Sequence, residues 1–305
     1  MEYFRQLCEI LRTPPLVKEP LSRHTSLGIG GPADYLVNPH DTEELRDVLL
    51  FAREHHLPTL VLGHGTNLLV LDEGYRGIVI SLISACSHCS FFDSRIQAGA
   101  NVALPWLANE IARHGLTGME FAAGIPGTLG GALYMNAGAF GYYTADLVEA
   151  VVTMDQEGCL RTRPRSELNF SYRWSNFQDE DVIILEATLA LQPGDQQKIA
   201  EMQRQMLDKR AARHPRQPSA GSVFRNPPEK GAGYLIEKAG LKGMTVGDAQ
   251  ISPMHGNFIV NNGNATASDI INLINIVRKS VKEKFGIELQ LEIRIVGGNW
   301  EIGEK

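Results

Sequence analysis

The stretch Gly124-Ile125-Pro126-Gly127-Thr128-Leu129-Gly130-Gly131-Ala132-Leu133-Tyr134-Met135-Asn136-Ala137-Gly138-Ala139-Phe140-Gly141 decides how this chain is read. Six of its eighteen residues are glycine, and no regular period runs through it. Glycine costs conformational entropy and is useful where φ must be positive or where the main chain must come close to a ligand. A cluster this dense, interleaved with Ile125, Leu129, Leu133, Tyr134, Met135 and Phe140, therefore reads as a cofactor cradle. A flexible connector would instead be polar and rich in serine and glycine.

A second glycine-rich turn lies upstream, at Gly63-His64-Gly65-Thr66-Asn67, between the apolar runs Val61-Leu62 and Leu68-Leu69-Val70. Successive N–H groups in such a turn form a concave nest for anionic oxygens, and Thr66 and Asn67 add a hydroxyl and an amide suited to a diphosphate. The dinucleotide fingerprint G-x-G-x-x-G at the start of a helix is absent, so a Rossmann domain is not expected.

Both turns resemble the diphosphate-contacting turns of the vanillyl-alcohol-oxidase-type FAD domain. Three further segments narrow the resemblance: Thr25-Ser26-Leu27-Gly28-Ile29-Gly30-Gly31-Pro32-Ala33, Ser171-Tyr172-Arg173-Trp174-Ser175 and Gly221-Ser222-Val223-Phe224-Arg225-Asn226-Pro227. They are similar to signatures of the UDP-N-acetylenolpyruvoylglucosamine reductases, in family order, from about Thr25 to Gly297. The resemblance implies an NADPH-dependent flavoenzyme with non-covalent FAD and a UDP-sugar substrate. It implies FAD contacts from Gly63, His64, Gly65, Thr66, Asn67 and Leu68, and from Gly124, Ile125, Pro126, Gly127, Thr128, Gly130, Gly131 and Ala132. His64, alone, reads as a variable turn position.

Composition agrees with a soluble enzyme. With 305 residues there is room for two domains. A net charge of −6 leaves no basic footprint for nucleic acid, so an anionic substrate must be met by local arginine and lysine. No apolar run approaches the ~20 residues of a membrane span, and Met1-Glu2-Tyr3-Phe4-Arg5-Gln6 is unlike a leader, so a cytoplasmic protein without membrane insertion is expected. Cys8, Cys86, Cys89 and Cys159 are too scattered for a disulfide framework. Cys86-Ser87-His88-Cys89 has no second ligand pair at suitable spacing, so no metal is expected.

Helices are expected over Asp41 to His56, with Asp41 as N-cap, over Pro105 to His114, over Gln196 to Arg213, over Ala232 to Ala239 and over Ser268 to Phe285. Strands are expected over 33–37, 59–62, 148–154, 182–191, 257–261 and 289–296. Pro193-Gly194-Asp195 marks the boundary between an FAD-binding region, 1–193, and a smaller substrate-binding α+β domain, 194–305. The fold class is α+β.

The resemblance assigns catalytic roles to three residues. Arg173, from the Tyr-Arg motif, would stabilise the enolate that develops beside the substrate carboxylate, and its fork fits a carboxylate as lysine does not. Ser222 would supply a proton to carbon, with Arg225 or a bound cation as helper, and Glu292 would be the acid near the C-terminal strand. Each also has an ordinary reading: a surface ion pair for Arg173, a turn residue for Ser222, an outward strand position for Glu292. No G-x-S-x-G elbow supports Ser222 as a nucleophile. Arg213, Arg225, Asn226, Lys238 and Asn257 are candidate substrate contacts, and His255 reads as structural. The segment between Arg213 and Ser222 is short and Gln290 replaces a second acid common in the family; total length matches its shorter form. An FAD-dependent sugar or alcohol oxidase and a non-catalytic flavin or nucleotide-sugar binder remain alternatives.

Overall fold

The computed structural model describes residues 3 to 298; Met1 and Glu2 lie outside the described residues. The chain forms two compact units, each discontinuous in sequence. The first comprises 1–17, 35–63 and 77–210, and the second 18–34, 64–76 and 211–305. This division differs from a single cut after residue 193. The helix Gln196–Ala211 was expected to start the second domain, but it buries Ile199 and Met206, and Met206 joins the core of the first unit. Gln203 also donates from Nε2 to Ala108 O at 3.1 Å.

The first unit is built on a five-stranded antiparallel sheet in the order Leu160–Pro164, Val148–Asp155, Val182–Ala190, Arg95–Gly99, Cys89–Phe92. Beside it, Thr59–Leu62 pairs in parallel with residues 78–81. The helix that precedes Thr59–Leu62 in sequence, Thr42–Glu54, is capped by Asp41, whose carboxylate accepts the N–H groups of Glu43 and Glu44, and it buries Leu45, Val48, Leu49 and Ala52. Helix Leu104–Arg113 follows the expected proline-in, glycine-out pattern, with Gly115 at φ +68°.

The second unit has a four-stranded antiparallel sheet in the order Ser219–Ser222, Phe258–Asn261, Ala249–Ile251, Thr245–Val246. Helix Ala267–Phe285 packs Ile270, Leu273, Val277 and Val281 into its core, opens on a capping box between Thr266 and Asp269, and ends at left-handed Gly286. The last expected strand is shorter than its apolar pattern suggested. Only Arg294–Val296 is strand, pairing in parallel with Leu68–Val70, because the backbone of 290–292 turns to other partners described below.

Burial disfavours the thiolate form of both cysteines in the Cys86–Cys89 segment. Burial, with Glu186 beside it, pushes Cys86 up to about 12, and burial with Glu110 pushes Cys89 up to about 11. Among the described residues no three His, Cys, Asp or Glu side chains gather as metal ligands would, and no helix is long and apolar enough to cross a membrane.

Candidate functional site

In the first unit the glycine-rich segment is not uniformly irregular. Leu129–Tyr134 is a short helix whose N-cap, Thr128, accepts Gly131 N–H through Oγ1 at 3.3 Å. Several glycines serve protein packing. A Cβ on Gly130 would lie 2.9 Å from Ala100 Cβ, and one on Gly124 would lie 2.9 Å from Arg210 Cδ. A Cβ on Gly63 would sit 2.7 Å from Thr128 Oγ1. The strand-end turn and the glycine-rich segment thus meet at Gly63 and Thr128.

The rest of the segment fits a bound anion. Gly127 holds φ at +131°, its carbonyl accepts Leu104 N–H at 2.9 Å, and Leu129 N–H donates to Val102 O at 2.9 Å. The N–H groups of Gly127 and Thr128 donate to no described residue, although Thr128 is only 4% exposed. Main-chain donors so placed ordinarily find a partner, and a phosphoryl oxygen would be one.

The C-terminal end of the same segment holds Arg173. Phe170–Ser171 and Trp174–Ser175 pair as a hairpin whose two turn residues are Tyr172 and Arg173. Arg173 has φ +56°, a conformation that glycine or asparagine ordinarily supplies and that costs another residue about 1 kcal/mol. The hairpin is pinned by Asn136 Nδ2 to Ser171 O at 2.8 Å, Ser175 Oγ to Tyr134 O at 2.7 Å, and Gln178 Nε2 to both Tyr134 O and Arg173 O at 2.7 and 3.2 Å. The Arg173 guanidinium donates to Gly138 O at 3.2 Å and lies 5.1 Å from the Tyr172 ring centroid. The turn thus holds Arg173 in a sparsely populated backbone conformation that several surrounding hydrogen bonds over-determine.

Sequence reading missed Arg210. It is half-buried against Gly124 and makes no ion pair among the described residues, and burial together with the Arg173 charge pulls its pKa below the usual arginine value. Like charges in one region favour an anionic ligand there.

In the second unit Ser222 ends its strand opposite Phe258, after a break in register that follows Ser219 and contains Gly221 at φ +77°. Its hydroxyl makes no hydrogen bond to a described residue. The next residue, Val223, is shared: its N–H donates to Asn257 O at 2.9 Å, and its carbonyl accepts Glu292 N–H at 2.8 Å. Phe224 bridges Leu291, and Arg225 N–H donates to Gln290 O at 2.9 Å. The serine and the acid, 70 positions apart, are therefore linked through one intervening residue, Val223. Asn67 closes this framework, donating from Nδ2 to Glu292 O at 3.1 Å and accepting Arg294 N–H at 2.9 Å. The Thr25-Ser26 signature is structural: Ser26 donates to Gly65 O through its N–H and to Ser219 O through its hydroxyl, at 3.1 and 2.7 Å.

The expected substrate contacts divide. Arg213 and Lys238 are exposed, Lys238 lying over the Tyr234 ring. Arg225 keeps a buried Nε without a partner among the described residues. Asn226 Oδ1 accepts Ala232 N–H at 2.9 Å, which orders the start of helix Ala232–Lys238. Asn257 is buried and spends both ends of its amide on Phe224, so in this structure it holds main chain. His255 accepts Asn257 N–H at Nδ1 and meets the Phe258 ring edge-on, with centroids 4.9 Å apart.

Comparison with known proteins settles the family. Residues 33–162 match the model of an FAD binding domain, and 213–296 match the UDP-N-acetylenolpyruvoylglucosamine reductase C-terminal domain. The chain is 45% identical over 294 residues to the UDP-N-acetylenolpyruvoylglucosamine reductase of Caldanaerobacter subterraneus subsp. tengcongensis, covering 96% of this chain and 97% of that one. It belongs to that reductase family. The Bacillus subtilis protein of the same name is 42% identical over 286 residues, covering 93% and 94% of the two chains. The crystal structure of the Thermus caldophilus reductase superposes with a TM-score of 0.79 at 37% identity, over 93% of this chain and 99% of that one. The expected α+β, FAD-domain architecture holds.

Proposed function

We propose that this chain reduces UDP-N-acetyl-3-O-(1-carboxyvinyl)-glucosamine to UDP-N-acetylmuramate with NADPH, as a cytoplasmic FAD enzyme of peptidoglycan precursor synthesis. FAD, when bound, would supply the hydride chemistry that links NADPH to the vinyl group of the substrate. The protein's own residues must hold that cofactor, carry the charge that moves onto the substrate carboxylate, and protonate the adjacent ether carbon. One hydride and one proton are added, so the reaction balances.

In this reading the turn from Gly63 to Leu68 and the segment from Gly124 to Ala132 hold FAD, the latter through the unspent N–H groups of Gly127 and Thr128. Arg173 clamps the carboxylate with two parallel donors where negative charge accumulates. Ser222 gives its hydroxyl proton to carbon, and Glu292 works at the same centre. The observation that carries the assignment is Val223, the residue after Ser222, whose carbonyl accepts Glu292 N–H at 2.8 Å while the serine hydroxyl is left unspent on described residues.

The test is a two-step anaerobic titration. NADPH should bleach the flavin, and the enolpyruvyl substrate should restore its colour. A flavin recoloured only by oxygen would indicate an oxidase, and one that NADPH leaves unbleached would indicate a binding protein.

A further inference from the structure

Asn257 is 2% exposed and stands immediately before strand Phe258–Asn261. One residue uses both ends of its carboxamide. Oδ1 accepts Phe224 N–H at 2.9 Å, and Nδ2 donates to Phe224 O at 2.8 Å. Its own carbonyl accepts Val223 N–H at 2.9 Å. Three hydrogen bonds from one side chain and its backbone thus fix the two residues that follow Ser222.

This arrangement extends a ladder past the point where it would fail. The register between Ser219–Ser222 and Phe258–Asn261 is irregular, and Gly221 sits in that irregularity with open space around the position a Cβ would take. Glycine there leaves the serine's backbone adjustable on its N-terminal side. On its C-terminal side the amide of Asn257 imitates a strand partner for Phe224. Asn257 is itself oriented, because its N–H donates to His255 Nδ1 at 3.2 Å.

We propose that Asn257 is the positioning residue for Ser222: its side-chain amide fixes where the serine hydroxyl stands relative to Glu292. The proposal rests on the reading of Ser222 as proton donor. It makes Asn257 a determinant of the protonation step without substrate contact. Misplacing a reacting group by about 1 Å can cost about 10²-fold in rate.

The experiment compares Asn257→Asp, which keeps the volume and the acceptor but loses the donor, with Asn257→Ser, which is smaller and uncharged. Each is made alone and with Ser222→Ala, as FAD-loaded protein whose folding is checked by thermal melting. Flavin reduction by NADPH should match wild type. The kcat of the substrate half-reaction should fall by about 10- to 100-fold, with KM altered by less than about 3-fold. In the Ser222→Ala background the Asn257 substitutions should add less than about 2-fold, because the group they position is gone. A full additional loss in that background, or equal loss in both half-reactions, overturns the proposal. So does wild-type reoxidation in the folded Asn257 variants while Ser222→Ala is slow, and then the serine's role stands alone. If Ser222→Ala itself reoxidises normally, the reading beneath the proposal fails and takes it along.

Discussion

The side-chain amide of Asn67 donates to the carbonyl of Glu292 at 3.1 Å, and the Asn67 carbonyl accepts Arg294 N–H at 2.9 Å. A residue of the upstream glycine-rich turn, read from sequence as part of a diphosphate nest, is therefore also what orders the segment that carries the acid. Leu68 pairs with Arg294 in the adjoining parallel ladder, so the two roles share one backbone.

Glu292 meets this framework through its main-chain N–H and carbonyl. Glu292→Gln keeps the size of the side chain and removes its charge, and flavin reoxidation by substrate should slow by about 10²-fold or more. Asn67→Ala removes a donor from a main-chain acceptor and should cost about 1 kcal/mol in stability. Thermal unfolding of the two variants, with stopped-flow of the first, separates the roles.

Gly130 and Gly131 should respond differently to the same substitution. A methyl on Gly130 meets Ala100 at 2.9 Å, an overpacking that costs about 1–3 kcal/mol. On Gly131 the nearest atom is Thr128 Oγ1 at 3.4 Å, and alanine is the better helix former. Gly130→Ala should lower the melting temperature of the apoprotein, whereas Gly131→Ala should leave it level or raise it. Flavin content of Gly131→Ala then reports cofactor approach free of any folding defect.

Arg173→Gly should separate stability from activity. Glycine relieves the positive φ, worth about 1 kcal/mol, and this offsets the lost bond to Gly138 O. The variant should stay within about 1 kcal/mol of wild type in stability, while substrate-driven flavin reoxidation falls by at least about 10²-fold. Urea unfolding monitored by fluorescence, beside single-turnover kinetics, measures both.

Stability should weaken in mild acid partly through His255. Burial, chiefly, with Lys242 and Arg213 adding to it, holds its folded pKa below 6.5, so the native state binds fewer protons than the unfolded chain. The resulting contribution is present above 6.5 and is lost as pH falls through that value towards the folded pKa. His255→Gln should flatten this limb of a melting-temperature profile between about pH 5 and pH 8. A profile of wild-type steepness would remove His255 as a cause.

What was legible in the sequence is local. The Asp41 cap, Pro105 and Gly286 fix their helices through hydrogen bonds and φ values that adjacent residues determine. The glycine-rich turns were legible as turns, and Gly63 does meet Thr128. What escaped depends on distant partners. The short helix after Thr128 was hidden among glycines whose contacts with Ala100 and Arg210 no spacing reveals. The apolar pattern of 289–296 suggested one strand, but Val223 and Asn67 draw the backbone of Glu292 away from it. Asn257 looked like a polar contact because only the fold puts Phe224 beside both ends of its amide, and the left-handed turn at Arg173 carries no glycine to announce it.

The central claim is that Ser222 delivers a proton to carbon, and stopped-flow of Ser222→Ala tests it most directly. FAD reduction by NADPH needs no proton from the serine and should proceed at nearly the wild-type rate. Reoxidation by the enolpyruvyl substrate should slow by about 10²- to 10⁴-fold, the usual cost of losing a positioned general acid. Wild-type reoxidation in the alanine variant would contradict the account.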